Sequence, residues 1–168
     1  MLLNREQLIV FRQSDTGLTF SHSSQLVAAG VSNDDRDSGI LNRWQAAPGT
    51  GAQLLITLRS EKSLGKAASL TGEQPIGVIL DTISRTYPAR FPGFSKVSQR
   101  QFEQSGRPVA EVVFTYDGET NEQVKQRFIA IMKDDDQALY LSMQAKESEF
   151  EELNNRFFNT ITNSLAFD

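Results

Sequence analysis

The sequence predicts an α+β fold, a central antiparallel β-sheet with helices on both faces in an α/β/α sandwich. Three observations predict it. Four β-prone segments between Phe94 and Gln144 follow one another across short turns, which makes neighbours in sequence antiparallel neighbours in space. Two stretches, Pro75 to Tyr87 and Ser148 to about Ser164, repeat apolar residues at helical spacing. The length of 168 residues suits a single domain spanning 1–168, with its core in about residues 8–167.

Taken in order, Leu8 to Phe11 and Leu18 to His22 are β-prone runs separated by Ser14-Asp15-Thr16-Gly17, a turn cluster, and so form a first hairpin. Small and polar residues from Gln25 to Ser38, centred on Asn33-Asp34-Asp35-Arg36-Asp37, predict a surface loop. Gly39 to Gln45 and Gln53 to Leu58 are strands joined through Pro48-Gly49-Thr50-Gly51. Glu61 to Gly72 lacks periodicity and is expected to be a mobile connection.

Pro75 suits the first turn of a helix, where its missing N–H costs nothing. Ile76, Ile79, Leu80, Ile83 and Tyr87 fall on one face, and Pro88 is expected to end the helix at Tyr87. The meander follows as Phe94 to Gln104, Val109 to Tyr116, Glu122 to Met132 and Ala138 to Gln144. In its third strand Val124, Gln126, Phe128 and Ala130 share one face and Lys125, Arg127 and Ile129 the other, a mostly half-buried pattern. Ser148 with Glu151 has capping-box spacing and opens a last helix. Its stripe of Phe150, Leu153, Phe157 and Ile161, widened by Phe158 and Leu165, must bury against the meander. The helix from Pro75 takes the other sheet face. No repeat, low-complexity tract or second core calls for a domain boundary.

Composition excludes several functions. With 17 basic and 21 acidic residues the net charge is −4, without the positive excess that phosphate neutralisation on nucleic acid requires. There is no Cys, hence no disulfide, thiol nucleophile or thiolate metal site. The start Met-Leu-Leu-Asn-Arg has no basic segment followed by an apolar run, and no later stretch approaches the roughly 20 apolar residues that span a bilayer. The expected location is the cell envelope if a leader preceded residue 1, and the cytoplasm otherwise. A lipid anchor is compatible with a removed leader.

The candidates for chemistry are few. His22 is the only histidine, which excludes sites built on two His, and no Ser sits in a G-x-S-x-G elbow. Asp134-Asp135-Asp136 and Asn33 to Asp37 carry clustered oxygen ligands but not the EF-hand pattern, and read as solvated turns. Gly65-Lys66 and Gly49-Thr50-Gly51 both lack the remaining elements of a phosphate loop. Trp44, Phe91 and Phe94, with Arg43 and Arg90 adjacent, are the residue types of binding hot spots, although packing is the stronger explanation of each aromatic. No residue is assigned a catalytic, cofactor-binding or metal-ligating role, and no cofactor is expected.

Gly17-Leu18-Thr19-Phe20-Ser21, a helix ending in Tyr87-Pro88, and Gly106-Arg107-Pro108-Val109-Ala110 leading into Val112-Val113-Phe114-Thr115-Tyr116 resemble the Mog/PsbP-like superfamily. So does the close Phe150…Phe157-Phe158…Ile161…Ser164-Leu165-Ala166-Phe167. That group includes the photosystem II extrinsic protein P, a Ran-binding nuclear import factor, bacterial envelope lipoproteins and chaperones of type VI secretion effectors. The resemblance implies the α/β/α arrangement and a non-enzymatic binding or assembly role with a protein partner. Two departures stand out. His22-Ser23-Ser24-Gln25-Leu26 replaces the aromatic or Pro-Ser-Gly-Trp-like run of many members, and a lone His22 carries over none of the metal sites of photosystem relatives. The expected function is a non-enzymatic binding or assembly module of the bacterial-envelope-lipoprotein type. A small apolar-ligand carrier is the second expectation, and a hydrolase the third.

Overall fold

The computed structural model describes residues 6–168, so the Met1–Arg5 start on which the absence of a leader was read lies outside the described residues. A seven-stranded antiparallel sheet divides the molecule. Its strands are β3 (Leu26–Ala29), β4 (Ile40–Ala46), β5 (Leu54–Glu61), β6 (Ser95–Gln104), β7 (Arg107–Asp117), β8 (Gln123–Met132) and β9 (Ala138–Lys146), in the spatial order β3-β4-β5-β9-β8-β7-β6. The four predicted meander strands form one half of this sheet, and β9 pairs with β5 from Leu54↔Ala145 to Glu61↔Ala138, which joins the halves.

The predicted hairpin of β1 (Leu8–Arg12) and β2 (Leu18–Ser23) stands apart in a three-stranded sheet with β10 (Ala166–Phe167), a strand too short to leave a periodic signal. On this side of the large sheet lies the first core, in which Leu18, Phe20, Ile56, Leu58, Ile129, Ile131, Leu141, Phe157 and Ile161 are buried. On the other side lies the second core, where Ile79, Leu80, Ile83 and Tyr87 meet Ala110, Val112, Phe114, Phe128 and Ala130. The single core expected from the sequence is therefore two layers that share a sheet. Strand β8 is buried from Gln126 to Met132 rather than half-buried, because it lies between β7 and β9 with helices across both faces.

Four helical expectations are corrected. The expected loop at Gln25–Ser38 contains β3 and α1 (Asn33–Asp37), closed by a capping box in which Ser32 Oγ accepts from the Asp35 N–H at 3.1 Å and the Asp35 carboxylate from the Ser32 N–H at 2.9 Å. The expected mobile connection holds α2 (Leu64–Thr71). Its Ser63 N-cap makes no side-chain cap. Instead the distant Asp136 carboxylate accepts from the Ser63 and Gly65 N–H groups at 3.3 and 3.2 Å. A Cβ on Gly65 would stand 3.1 Å from the Asp135 carbonyl oxygen, so the close approach favours glycine there. Helix α3 (Pro75–Arg90) runs through Pro88 to Arg90, since a proline in the final turn forfeits one hydrogen bond and the Phe91 N–H still donates to the Tyr87 carbonyl at 2.8 Å.

The last helix begins at Glu147, not at a capped Ser148, with Lys146 as an N-cap that forms no side-chain bond. It is continuous but not uniform: α4 (Glu147–Leu153), a π turn over Asn154–Phe158, and α5 (Asn159–Asn163). The wide turn has a partner. Arg127 Nη1 donates to Asn154 Oδ1 at 3.0 Å and to Asn159 Oδ1 at 2.8 Å, so one guanidinium takes two amides five residues apart, the spacing that a π turn brings together. Arg127 Nε donates to Glu111 Oε2 at 2.8 Å and Arg100 Nε to Glu111 Oε1 at 2.9 Å. Burial pushes the Glu111 carboxyl up, yet the two guanidiniums prevail and hold it below its ordinary value. The predicted stripe is buried as expected at Phe150, Leu153, Phe157, Phe158, Ile161 and Leu165.

Candidate functional site: an arginine-rimmed groove

A helix about 10 Å wide covers two or three strands spaced about 4.8 Å apart, so α3, packed on β7 and β8, leaves the rest of its sheet face open. The open part is a groove between the C-terminal half of α3 and β4, β5 and β9. It comprises two adjoining concavities of about 210 Å³ each that share Arg59, Tyr87, Arg90 and Phe128. Strand alternation sets its lining. Ile56, Leu58, Leu141 and Met143 face the first core, so Thr57, Arg59, Ser142 and Gln144 face the groove. Register then lines up Arg43 with Thr57, Thr57 with Ser142, and Arg59 with Tyr140.

Three guanidiniums rim the groove, and each is held differently. Arg43 Nη1 lies 2.6 Å from Asp35 Oδ2, and hydrogen bonds from Arg43 first and Ser32 second hold the Asp35 carboxyl down at about 2. Arg59 stands over the Tyr140 ring at 4.9 Å, with Glu61 3.5 Å from its Nη1. Arg90 stands over Tyr87 and Phe91 at 5.7 and 5.2 Å, and it makes no ion pair among the described residues. Guanidiniums held on ring faces keep their N–H edges available to an incoming acceptor.

The floor is polar but neutral. Gln126 is only 4% exposed and lines the groove, and its amide makes no hydrogen bond among the described residues. Gln144 lies directly opposite it on β9 and accepts from the Tyr116 hydroxyl at 3.5 Å. Burial raises the phenols of Tyr87 and Tyr140, so both are neutral hydroxyls at physiological pH. Donors therefore dominate the site, and Ser142 has no His, Asp or Glu beside it in the lining of its concavity. Such a set binds and orients an acceptor.

The residues singled out from the sequence are redistributed. Trp44 packs edge-on against Phe11 and Phe20 at 4.9 and 5.4 Å in the first core, while Phe91 and Phe94 pack in the second. Their neighbours Arg43 and Arg90 reach the groove, and of the three aromatics Phe91 also lines it. Arg59, Gln126, Tyr140, Ser142 and Gln144 were not selected; the available signal was polar residues on strand positions alternating with buried Leu and Met. His22 is buried beside Phe20, its Nδ1 donating to the Ser23 carbonyl at 2.8 Å. Asp134 accepts from the N–H groups of Asp136 and Gln137, both at 2.9 Å, as a turn residue does. At Gly65 a carboxylate already occupies the backbone N–H that a phosphate would need. Among the described residues no three His, Cys, Asp or Glu side chains gather as a metal site, and no helix is long and apolar enough to cross a membrane.

Two other concavities are less organised. A wide opening of about 530 Å³ lies between the turns that hold Gln25 and Pro48, lined by loop residues, and another of about 310 Å³ sits at Pro75 and Arg107. Arg107 is committed there to the Lys133 carbonyl.

No protein-family model and no curated protein matches the chain. Solved structures do. The cyanobacterial PsbP (CyanoP) of Synechocystis sp. PCC 6803 is similar at a TM-score of 0.66 and 10% identity, over 100% of this chain and 96% of that one. LpqN of Mycobacterium tuberculosis, described as involved in cell envelope biogenesis, is similar at 0.57 and 12%, over 97% and 91% of the two chains. PA94 of Pseudomonas aeruginosa, a protein of unknown function described as a putative regulator, is similar at 0.57 and 9%, over 96% and 98%. At these identities the likeness concerns the backbone, and it agrees with the α+β architecture expected from the sequence: the chain has the PsbP-like fold.

Proposed function

We propose that this chain is a non-enzymatic binding module of assembly or envelope type, and that the arginine-rimmed groove is its binding face for a protein partner. The observation that carries the reading is the convergence of Arg43, Arg59, Arg90, Gln126 and Ser142 on an uncovered concavity of a rigid sheet. Arg and Tyr are the side chains that dominate interface energies, because each pairs a large contact area with directional hydrogen bonds. The fold shared with CyanoP and LpqN supports an assembly or envelope setting. The carrier alternative has less support, since Tyr87, Phe114, Phe128 and Ile83 fill the space between α3 and the sheet.

The test compares tagged wild-type chain with an Arg59→Glu, Arg90→Glu double variant, each used to capture partners from its own cells at physiological salt. A partner retained by the wild type and lost from a variant with unchanged circular dichroism supports the groove. Equal retention by both places the binding face elsewhere. No reproducible partner at all defeats the module reading.

A further inference from the structure

Within that reading of the groove, we infer that the group it takes is a carboxylate carried on an apolar or aromatic body. The charge balance is the first reason. Three guanidiniums share the rim with Asp35 and Glu61, which leaves one positive charge in excess, centred on Arg90. A monoanion neutralises that excess, whereas a phosphate dianion would be left with an unmatched charge. The floor is the second reason. Gln126 is nine-tenths buried, has no internal partner for its amide, and opens onto the same cavity as Arg90. Its amide atoms are open to that cavity, so a ligand oxygen there takes the place of solvent on its N–H groups.

The walls are the third reason. Ile40, Phe91 and Phe128 line the same concavity, so a ligand whose anionic end meets Arg90 lays apolar surface against rings. In-plane N–H donors from Arg90 and the Gln126 amide then form the mixed charged and neutral donor set that one carboxylate's two oxygens accept. With a protein partner on this face, the carboxylate is that of an Asp or Glu side chain beside an aromatic residue of the partner, and a free organic acid is the competing source.

¹⁵N-resolved NMR of the full chain separates them. The peptide probe is acetyl-Gly-Phe-Glu-Gly-amide with its Gln counterpart as control, and the small-acid probe is phenylacetate with phenylacetamide as control. The expected result is saturable shifts of the Arg90 Nε–H and Gln126 amide signals with the carboxylates, and binding about tenfold or more weaker with the matching amides, the loss of one charge-assisted bond. Gln126→Met and the exposed Arg90→Met each reproduce that weakening. Tighter binding of the peptide is the expected result, and tighter binding of phenylacetate overturns the polypeptide source in favour of a small acid.

Equal affinity for acids and amides overturns the inference, as does tighter binding of inorganic phosphate or an absence of shifts with either acid. If the acids fail while partner capture still depends on Arg59 and Arg90, the groove binds by other chemistry and only the carboxylate assignment falls. If capture ignores those residues, the groove itself is not the binding face.

Discussion

Arg127 shows how much one residue organises. It is 7% exposed, shares Glu111 with the more exposed Arg100, and spans the π turn through Asn154 and Asn159. Removing Arg127 leaves the buried Glu111 with only the solvent-side Arg100 and strips Asn154 and Asn159 of their donor, so Arg127→Met should cost about 2–4 kcal/mol, against roughly 1 kcal/mol or less for Arg100→Met. Urea unfolding of the two variants measures the difference. The same pair makes stability depend on acid. Because Glu111 is held below its unfolded value, its contribution is present above that value, about 4.3, and is lost as pH falls through the lower folded one. Loss of Arg127 should flatten that dependence in parallel unfolding curves. Sequence alone placed Arg127 on a strand face but not its three acceptors, which come from β7 and from both ends of a turn that no propensity scale encodes.

At the scale of elements, local signals succeeded where a long apolar stripe lies within the segment. The faces of α3 and of the closing helix came from spacing alone, and each is buried where expected. Helix α2 was illegible because its cap is not local: Asp136 lies 73 residues from Ser63 and 71 from Gly65. The box expected at Ser148 is absent while an equivalent one forms at Ser32, which shows that the spacing is permissive rather than decisive. Asp136→Ala should therefore destabilise the protein by about 0.5–2 kcal/mol, as the loss of an N-cap does. Amide exchange localises the effect, with α2 opening first. Uniform loss of protection across the sheet, with α2 unchanged, would count against the cap.

At the scale of the whole molecule, the large sheet is the common wall of two cores. The aromatic probes happen to be sorted between them. The only Trp, Trp44, sits in the first core, and all three Tyr, residues 87, 116 and 140, belong to the second. If residues 1–168 are one cooperative domain, as proposed from length and the shared sheet, Trp fluorescence and near-ultraviolet Tyr signals should unfold with coincident midpoints. Separate transitions would divide the chain into two units. Composition, strand periodicity and two amphipathic stripes were enough to determine an antiparallel sheet with a helix on each face, because burial of a repeating apolar face is a local instruction read from i, i+2 or i, i+4 neighbours. What the sequence could not determine was the groove. Its residues come from β4, β5, α3, β8 and β9, and their convergence depends on the β5–β9 register and on α3 being too narrow to cover the sheet, both of which are settled only when the chain packs.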